Sequence, residues 1–298
     1  MRLLLGLIAV LICSTCNGQD LTKPSKKDLK KIDNLFKDFD KKDSPGYAIG
    51  ISKGAETLYS KGYGSANLDY SIPISTNSSF DIASVSKQFT SACIALLIMD
   101  GKLNLETPVE DYVPELAKYA DTIRIKHLIY NTSGIVDYPR LPRPDGHSWI
   151  TFNYFDIDYC ISVSLSRDTL AFKPGVKWDY CNVNFMLLTK VVEKVSGQSF
   201  RDFSRKRLFE PLGMNNTLIN DDITEVIKNR ITPYNKRTQE YVQAYRSMGI
   251  NVKDEGNWIQ HLRTSPHYGG SGVVTTIDDL LKWSENFCDK EIWRTRIL

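Results

Sequence analysis

The strongest constraint in this chain is one stretch, Asp81-Ile82-Ala83-Ser84-Val85-Ser86-Lys87-Gln88-Phe89-Thr90, which turns from a polar loop into the most apolar helix of the sequence. Ser91-Ala92-Cys93-Ile94-Ala95-Leu96-Leu97-Ile98-Met99 follows, apolar on nearly every side. A helix apolar all round belongs in the middle of a domain. Gly101 is placed to end it, since glycine readily takes the left-handed conformation of a helix C-terminus. Ser84 stands at the expected helix start, where its hydroxyl can cap free backbone N–H groups. Lys87, three residues on, shares its face.

That pair has a chemical reading and a plain one. A serine hydroxyl is a weak nucleophile until a base takes its proton. Lysine can be that base only when neutral, and both desolvation and the positive end of a helix dipole lower its pKa. In the plain reading Ser84 is only a cap and Lys87 a surface charge. About one Ser-x-x-Lys arises by chance in a chain of this composition, so the motif needs support from elsewhere.

The length of 298 residues permits one large domain or two small ones, with enough apolar and aromatic residues for a sizeable core. Net charge is +3, and much of the positive charge lies between Lys23 and Lys42, interleaved with aspartate as on a solvated helix face. No basic patch with interleaved aromatics points to nucleic acid, and the four histidines show no ligand spacing, so neither metal nor organic cofactor is expected.

Residues 1–18 read as a secretory signal: Arg2, an apolar core from Leu3 to Ile12 too short to span a bilayer, and small residues at Cys16-Asn17-Gly18 for cleavage. A lipid-anchoring cut at Cys16 is the competing reading, disfavoured because Cys13-Ser14-Thr15 fits a lipid-attachment box poorly. No later segment is apolar for long enough to cross a membrane. The mature chain is expected to be exported, periplasmic or secreted. It keeps Cys93, Cys160, Cys181 and Cys288, which allow three full pairings, while the place of Cys93 in the apolar helix predicts a buried thiol.

In chain order, Leu29, Ile32, Phe36 and Phe39 predict an amphipathic helix over Asp28 to Phe39. Tyr47 to Ile51 and Thr57 to Ser60 read as a hairpin around Lys53-Gly54. A short helix is expected over Ile123 to Tyr130, closed by Asn131-Thr132-Ser133-Gly134. The proline-rich stretch Tyr138 to Gly146 reads as a surface loop. Phe172 to Asn182 leads into a second strong helix with Phe185, Leu188, Val191, Val192 and Val195 on its apolar stripe, ended by Gly197. Phe203 to Leu208 looks helical, and residues 220 to 262 are polar and ambiguous. Tyr268-Gly269-Gly270-Ser271-Gly272 predicts a glycine turn before a short strand, and Asp278 to Phe287 a last amphipathic helix.

Taken together, these stretches resemble the serine β-lactamase and penicillin-binding family, in its class C β-lactamase-like branch. The resemblance runs from about residue 28 to 287. It rests on Lys61-Gly62-Tyr63-Gly64, the Ser-x-x-Lys box at Ser84, Tyr112-Val113-Pro114-Glu115, Ile125 to Gly134, Lys173-Pro174-Gly175 to Asn182, Pro211-Leu212-Gly213-Met214, and Gly270 to Leu281. It implies an α+β fold of the α/β sandwich type, β-lactamase/transpeptidase-like: an antiparallel sheet flanked by helices plus an all-helical region. The expected layout is one domain over 19–298, with the N-terminal helix and hairpin in 20–75, a mostly helical region in 76–265, and the glycine turn, strand and last helix in 266–298.

By the same resemblance Ser84 is the acylated nucleophile and Lys87 its base. Tyr180 and Asn182 match the family's Tyr-x-Asn box, Tyr180 as proton shuttle and Asn182 as hydrogen-bond partner of Lys87 or of a substrate amide. On its own Tyr180 is a packed aromatic. The Ser84 N–H supplies half of an oxyanion hole. Two departures stand out: Asn131 replaces the family's usual histidine in a box read as structural, and no Lys-Thr-Gly or Lys-Ser-Gly third box exists. His267-Tyr268-Gly269 precedes the Asp-Leu helix and is assigned to the glycine turn. The family's C-terminal strands and helix are therefore expected to be missing. The implied function is an exported serine hydrolase acting on a small ester, a D-Ala-D-Ala peptide or a β-lactam, with small-molecule or cell-wall peptide partners. The alternative is a non-catalytic or truncated member acting as a binding module or having no activity.

Overall fold

The computed structural model describes residues 24–54, 56–146, 149, 154–261 and 266–289. The signal segment 1–18, with its Cys16 alternative, and the side chain of Cys288 lie outside the described residues.

The first element among the described residues is α1 (Lys26–Phe36), started by a reciprocal capping box between Ser25 and Asp28. It lies on the antiparallel hairpin β1 (Tyr47–Lys53) and β2 (Glu56–Tyr63), where Phe36 packs 5.1 Å from the ring of Tyr63. Asp33 reaches down to the same hairpin and accepts from Lys61 Nζ at 2.6 Å and from Tyr63 Oη at 2.8 Å. The short pair β3 (Ser65–Asn67) and β4 (Ile72–Pro73) follows.

Next come β5 (Phe80–Asp81) and the central helix α2 (Lys87–Met99). Its apolar composition has the expected consequence: Phe89, Cys93, Ile94 and Leu97 are fully buried. Burial of side chains this size stabilises by roughly 1.5–3 kcal/mol each. Gly101, at φ +71°, closes the helix with two paired bonds, Gly101 N to Ile98 O at 2.9 Å and Lys102 N to Leu97 O at 3.0 Å.

Then come α3 (Ile125–Ile129), α4 (Ile157–Leu165) and α5 (Asn182–Ser196), the last ended by Gly197 at φ +69° as expected. Helices α2 and α5 pack together as the middle of the core. Helix α6 (Phe200–Ser204) runs into a π turn over Arg205–Phe209.

The ambiguous region holds β6 (Leu218–Ile219), β7 (Tyr234–Lys236), α7 (Gln239–Ser247) and β8 (Trp258–Gln260). Strands β7 and β8 pair antiparallel, and Val242, Tyr245 and Ile259 form a small separate apolar cluster there. The closing elements are β9 (Val273–Thr275) and α8 (Ile277–Asp289). Strand β9 lies between β5 and β6, antiparallel to both. Helix α8 packs on β1, where Gly50 has no room for a side chain beside Ile277 and Leu281. The result is the α+β arrangement of antiparallel strands and flanking helices.

One expectation needs correction. The stretch Tyr138 to Gly146 is not simply a surface loop: Tyr138 and Arg143 are buried, the Arg143 guanidinium lying 5.0 Å from the Phe155 ring and 5.3 Å from the Trp149 ring. Tyr159 of α4 (Ile157–Leu165) also faces the guanidinium, its ring 5.6 Å away. Cys93 is the buried thiol expected from its place in the apolar helix, and Cys160 and Cys181 are free, buried thiols as well. Among the described residues no helix is long and apolar enough to cross a membrane.

Candidate active site

The site begins with a strained turn. Ala83 sits at φ +46°, in the left-handed region uncommon for a residue with a side chain, and its N–H donates to Asp81 Oδ1 at 2.8 Å. The chain then makes one 3-10 turn, Ala83–Ser86, and α2 starts only at Lys87. Ser84 is therefore not a helix cap. It is exposed, and its hydroxyl is engaged by side chains instead: Lys87 Nζ at 3.1 Å and Tyr180 Oη at 2.8 Å both donate to Ser84 Oγ.

Lys87 is not a surface charge either, being only 8% exposed. Its Nζ also donates to Gly270 O at 2.6 Å and to Asn182 Oδ1 at 2.9 Å, with the Tyr180 ring 4.8 Å away and the Phe185 ring 5.4 Å away. Burial holds its pKa below the ordinary lysine value, with the Tyr180 hydroxyl and the charge of Asp137 acting against it. A carbonyl and an amide oxygen can only accept, so when Lys87 is neutral these two take its N–H bonds and its contact with Ser84 Oγ becomes one in which the amine lone pair accepts.

Tyr180 and Asn182 come from the segment leading into α5. Asn131, at φ +55°, holds that segment: its carbonyl accepts from Asp179 N at 2.8 Å and its Oδ1 from Cys181 N at 3.2 Å. Arg140 adds bonds to Asp179 Oδ2 at 2.6 Å and Tyr180 O at 3.1 Å. The asparagine in the histidine's place thus has a structural job.

The glycine turn closes the far side. Thr90 Oγ1 donates to Gly269 O at 2.8 Å, and Val273 N donates to Ser86 Oγ at 3.0 Å. Gly269, at φ +85°, lies so close to α5 that a Cβ there would stand 2.6 Å from Phe185 O. His267 packs 5.2 Å from Phe155 and Tyr268 stacks 6.4 Å from Phe200, so this segment serves the turn and the core.

The structure therefore brings together all four residues singled out from the sequence. What sequence reasoning missed is the backbone carbonyl of Gly270 and the carboxylate of Asp137. Asp137 is buried and accepts from Asn182 N at 2.9 Å and Asn182 Nδ2 at 2.7 Å. Its only signal was an acid in the otherwise apolar run Ile135-Val136-Asp137-Tyr138. Among the described residues no group of three or more His, Cys, Asp or Glu could hold a metal ion.

The description of the beta-lactamase family matches residues 32–295. The chain belongs to the beta-lactamase family. Among its relatives, penicillin-binding protein 4* of Bacillus subtilis is 33% identical over 263 residues, covering 86% of this chain and 55% of that protein. The D-aminopeptidase of Gluconobacter oxydans is 27% identical over 247 residues, 83% of this chain and 42% of that one. The octameric penicillin-binding protein homologue from Pyrococcus abyssi superposes with a TM-score of 0.67 at 25% identity, over 82% of this chain and 52% of that chain. This beta-lactamase family chain thus spans about half the length of the relatives it matches.

Proposed function

We propose that this protein is an exported serine hydrolase that forms an acyl-enzyme on Ser84. The observation that carries the reading is the convergence of Lys87 Nζ and Tyr180 Oη on Ser84 Oγ, at 3.1 and 2.8 Å, with the lysine buried. Neutral Lys87 takes the Ser84 proton as Oγ attacks the substrate carbonyl carbon. The Ser84 N–H donates to the developing oxyanion. Tyr180 protonates the departing oxygen or nitrogen and is reprotonated from Lys87, which restores both groups. Water then attacks the acyl ester and frees Ser84.

The substrate class is a small ester, a D-Ala-D-Ala peptide or a β-lactam. Peptide or ester hydrolysis is favoured over β-lactam turnover, which requires fast deacylation. Relatives named as a penicillin-binding protein and a D-aminopeptidase support that choice.

The test is intact-mass spectrometry of the purified chain after exposure to a reactive small ester and, separately, to a penicillin. The expected result is a stable mass gain that maps to Ser84 and vanishes in Ser84→Ala. Labelling that persists in Ser84→Ala, or no adduct on a folded wild-type chain, refutes the reading. The second outcome would favour a non-catalytic binding role.

A further inference from the structure

We propose that Asp137 is a positioning residue of this site, its carboxylate turning the Asn182 side chain so that Oδ1 faces Lys87 Nζ. The inference rests on the reading of Ser84 and Lys87 as nucleophile and base.

Asp137 is 4% exposed and uses its two oxygens differently. Oδ1 accepts from the backbone at the start of α5, from Asn182 N at 2.9 Å and Val183 N at 3.2 Å, with Cys181 Sγ at 3.7 Å. That much is a cap for the helix, supplied from another segment. Oδ2 does something a cap does not require: it accepts from Asn182 Nδ2 at 2.7 Å. An asparagine side chain has an oxygen and a nitrogen of nearly equal shape, and the surrounding network fixes which way each points. Turned over, Asn182 would set its oxygen against a carboxylate oxygen and its NH2 against Nζ. With Asp137 in place only one orientation is satisfied, and it gives Lys87 an acceptor at 2.9 Å. That acceptor, with Gly270 O, is what leaves the amine's lone pair facing Ser84.

An ionised carboxylate accepts at both oxygens, whereas an amide accepts at one and donates at the other. Asp137→Asn therefore keeps the shape but must present an NH2 either to the α5 backbone or to Asn182 Nδ2. The substitution also removes a negative charge that favours the protonated form of Lys87. Lys87 otherwise faces Tyr180 and Cys181, while Asp137 lies in the field of Tyr138, Arg140 and Cys160. Tyr138, Arg140, Cys160 and Cys181 feel the same charge and lose it together with Lys87, so the Lys87 Nζ signal itself is what the titration follows.

The experiment follows Ser84 acylation by a reactive small ester across pH. In parallel, the Lys87 Nζ titration is read by NMR of the full chain labelled with 15N-lysine. Asp137→Asn is expected to lower the plateau acylation rate about 10- to 100-fold, the scale of a misplaced catalytic group. It is also expected to move the Lys87 midpoint to lower pH. A merely structural acid would not slow the plateau while making the base easier to deprotonate. In an Asn182→Ala background the same substitution should cost less than about threefold, because residues acting through one another are not additive. An unchanged plateau, an unchanged midpoint, or the full loss repeated in Asn182→Ala each overturns the proposal. If wild type takes no adduct, the hydrolase reading fails while the Lys87 midpoint still judges Asp137: its shift on Asp137→Asn should shrink in the Asn182→Ala background, and a shift of the same size there overturns the role. Should Asp137→Asn not fold, Asp137→Glu keeps the charge and displaces the oxygens: the plateau should fall with the midpoint held, and an unchanged plateau refutes the role.

Discussion

Gly269→Ala is the substitution whose consequences the geometry defines most sharply. A Cβ at this position would stand 2.5 Å from Thr189 Cγ2 and 2.6 Å from Phe185 O. The methyl group could rotate aside, but the carbonyl belongs to the backbone of α5 and cannot. The turn itself must lift. Holding alanine at φ +85° costs about 1–2 kcal/mol, and forcing a methyl group into filled space about 1–3 kcal/mol more. The sum is roughly 2–5 kcal/mol, which for a chain of this size lowers Tm by roughly 3–8 °C. The loss is not confined to stability. Gly269 O accepts from Thr90 Oγ1, and the next carbonyl, Gly270 O, accepts from Lys87 Nζ, so a lifted turn slackens the base as well. Thermal unfolding by circular dichroism and the rate of Ser84 acylation by a reactive ester are the two assays. Gly101→Ala is the control, since φ is +71° there but nothing lies within 4 Å of its Cβ. It should show only the conformational part, about 1–2 kcal/mol, with acylation intact. A Gly269→Ala chain with Tm within about 1 °C of wild type, or one losing no more than Gly101→Ala, would refute the reasoning.

Two further outcomes follow from the same site. Lys87→Met should abolish acylation and keep the fold. Because burial depresses the Lys87 pKa, the unfolded chain holds a proton that the folded chain has lost between that depressed value and about 10.4. Stability from this group therefore rises with pH across that window, so urea midpoints of wild type should gain on Lys87→Met as pH increases, and parallel curves would contradict the assignment. Tyr180→Phe removes the hydroxyl that donates to Ser84 Oγ at 2.8 Å and should slow acylation about 10²- to 10⁴-fold. A rate within threefold of wild type would show that Tyr180 is only a packed ring.

How legible each part was depends on whether its cause is local. The α2 and α5 helices were plain because their apolar side chains dominate any window of sequence, and Gly101 and Gly197 end them by their own backbone freedom. Helix α4 and the α7 segment were missed or left open for the opposite reason. Their burial depends on partners far along the chain, such as Ile259 of β8 beside Val242 and Tyr245 of α7. The start of α2 was misplaced because Ser84 resembles a cap by residue type, while its hydroxyl bonds go to residues 3 and 96 positions away.

The sequence by itself determined the chemistry on offer: a serine and a lysine one turn apart, a Tyr-x-Asn pair before a second helix, and a glycine turn before a short strand. Those follow from residue type and short spacing, which the chain carries wherever it folds. Only the tertiary structure decided that Lys87 is buried against Gly270 O, 183 positions on, and that Asn131 and Asp137 fix the segment carrying Tyr180 and Asn182. Spacing along a chain limits which residues share one face of a helix. It does not determine which carbonyl or carboxylate from a distant segment will accept from a buried amine or amide, because that choice is made when the core closes and every buried donor must find an acceptor.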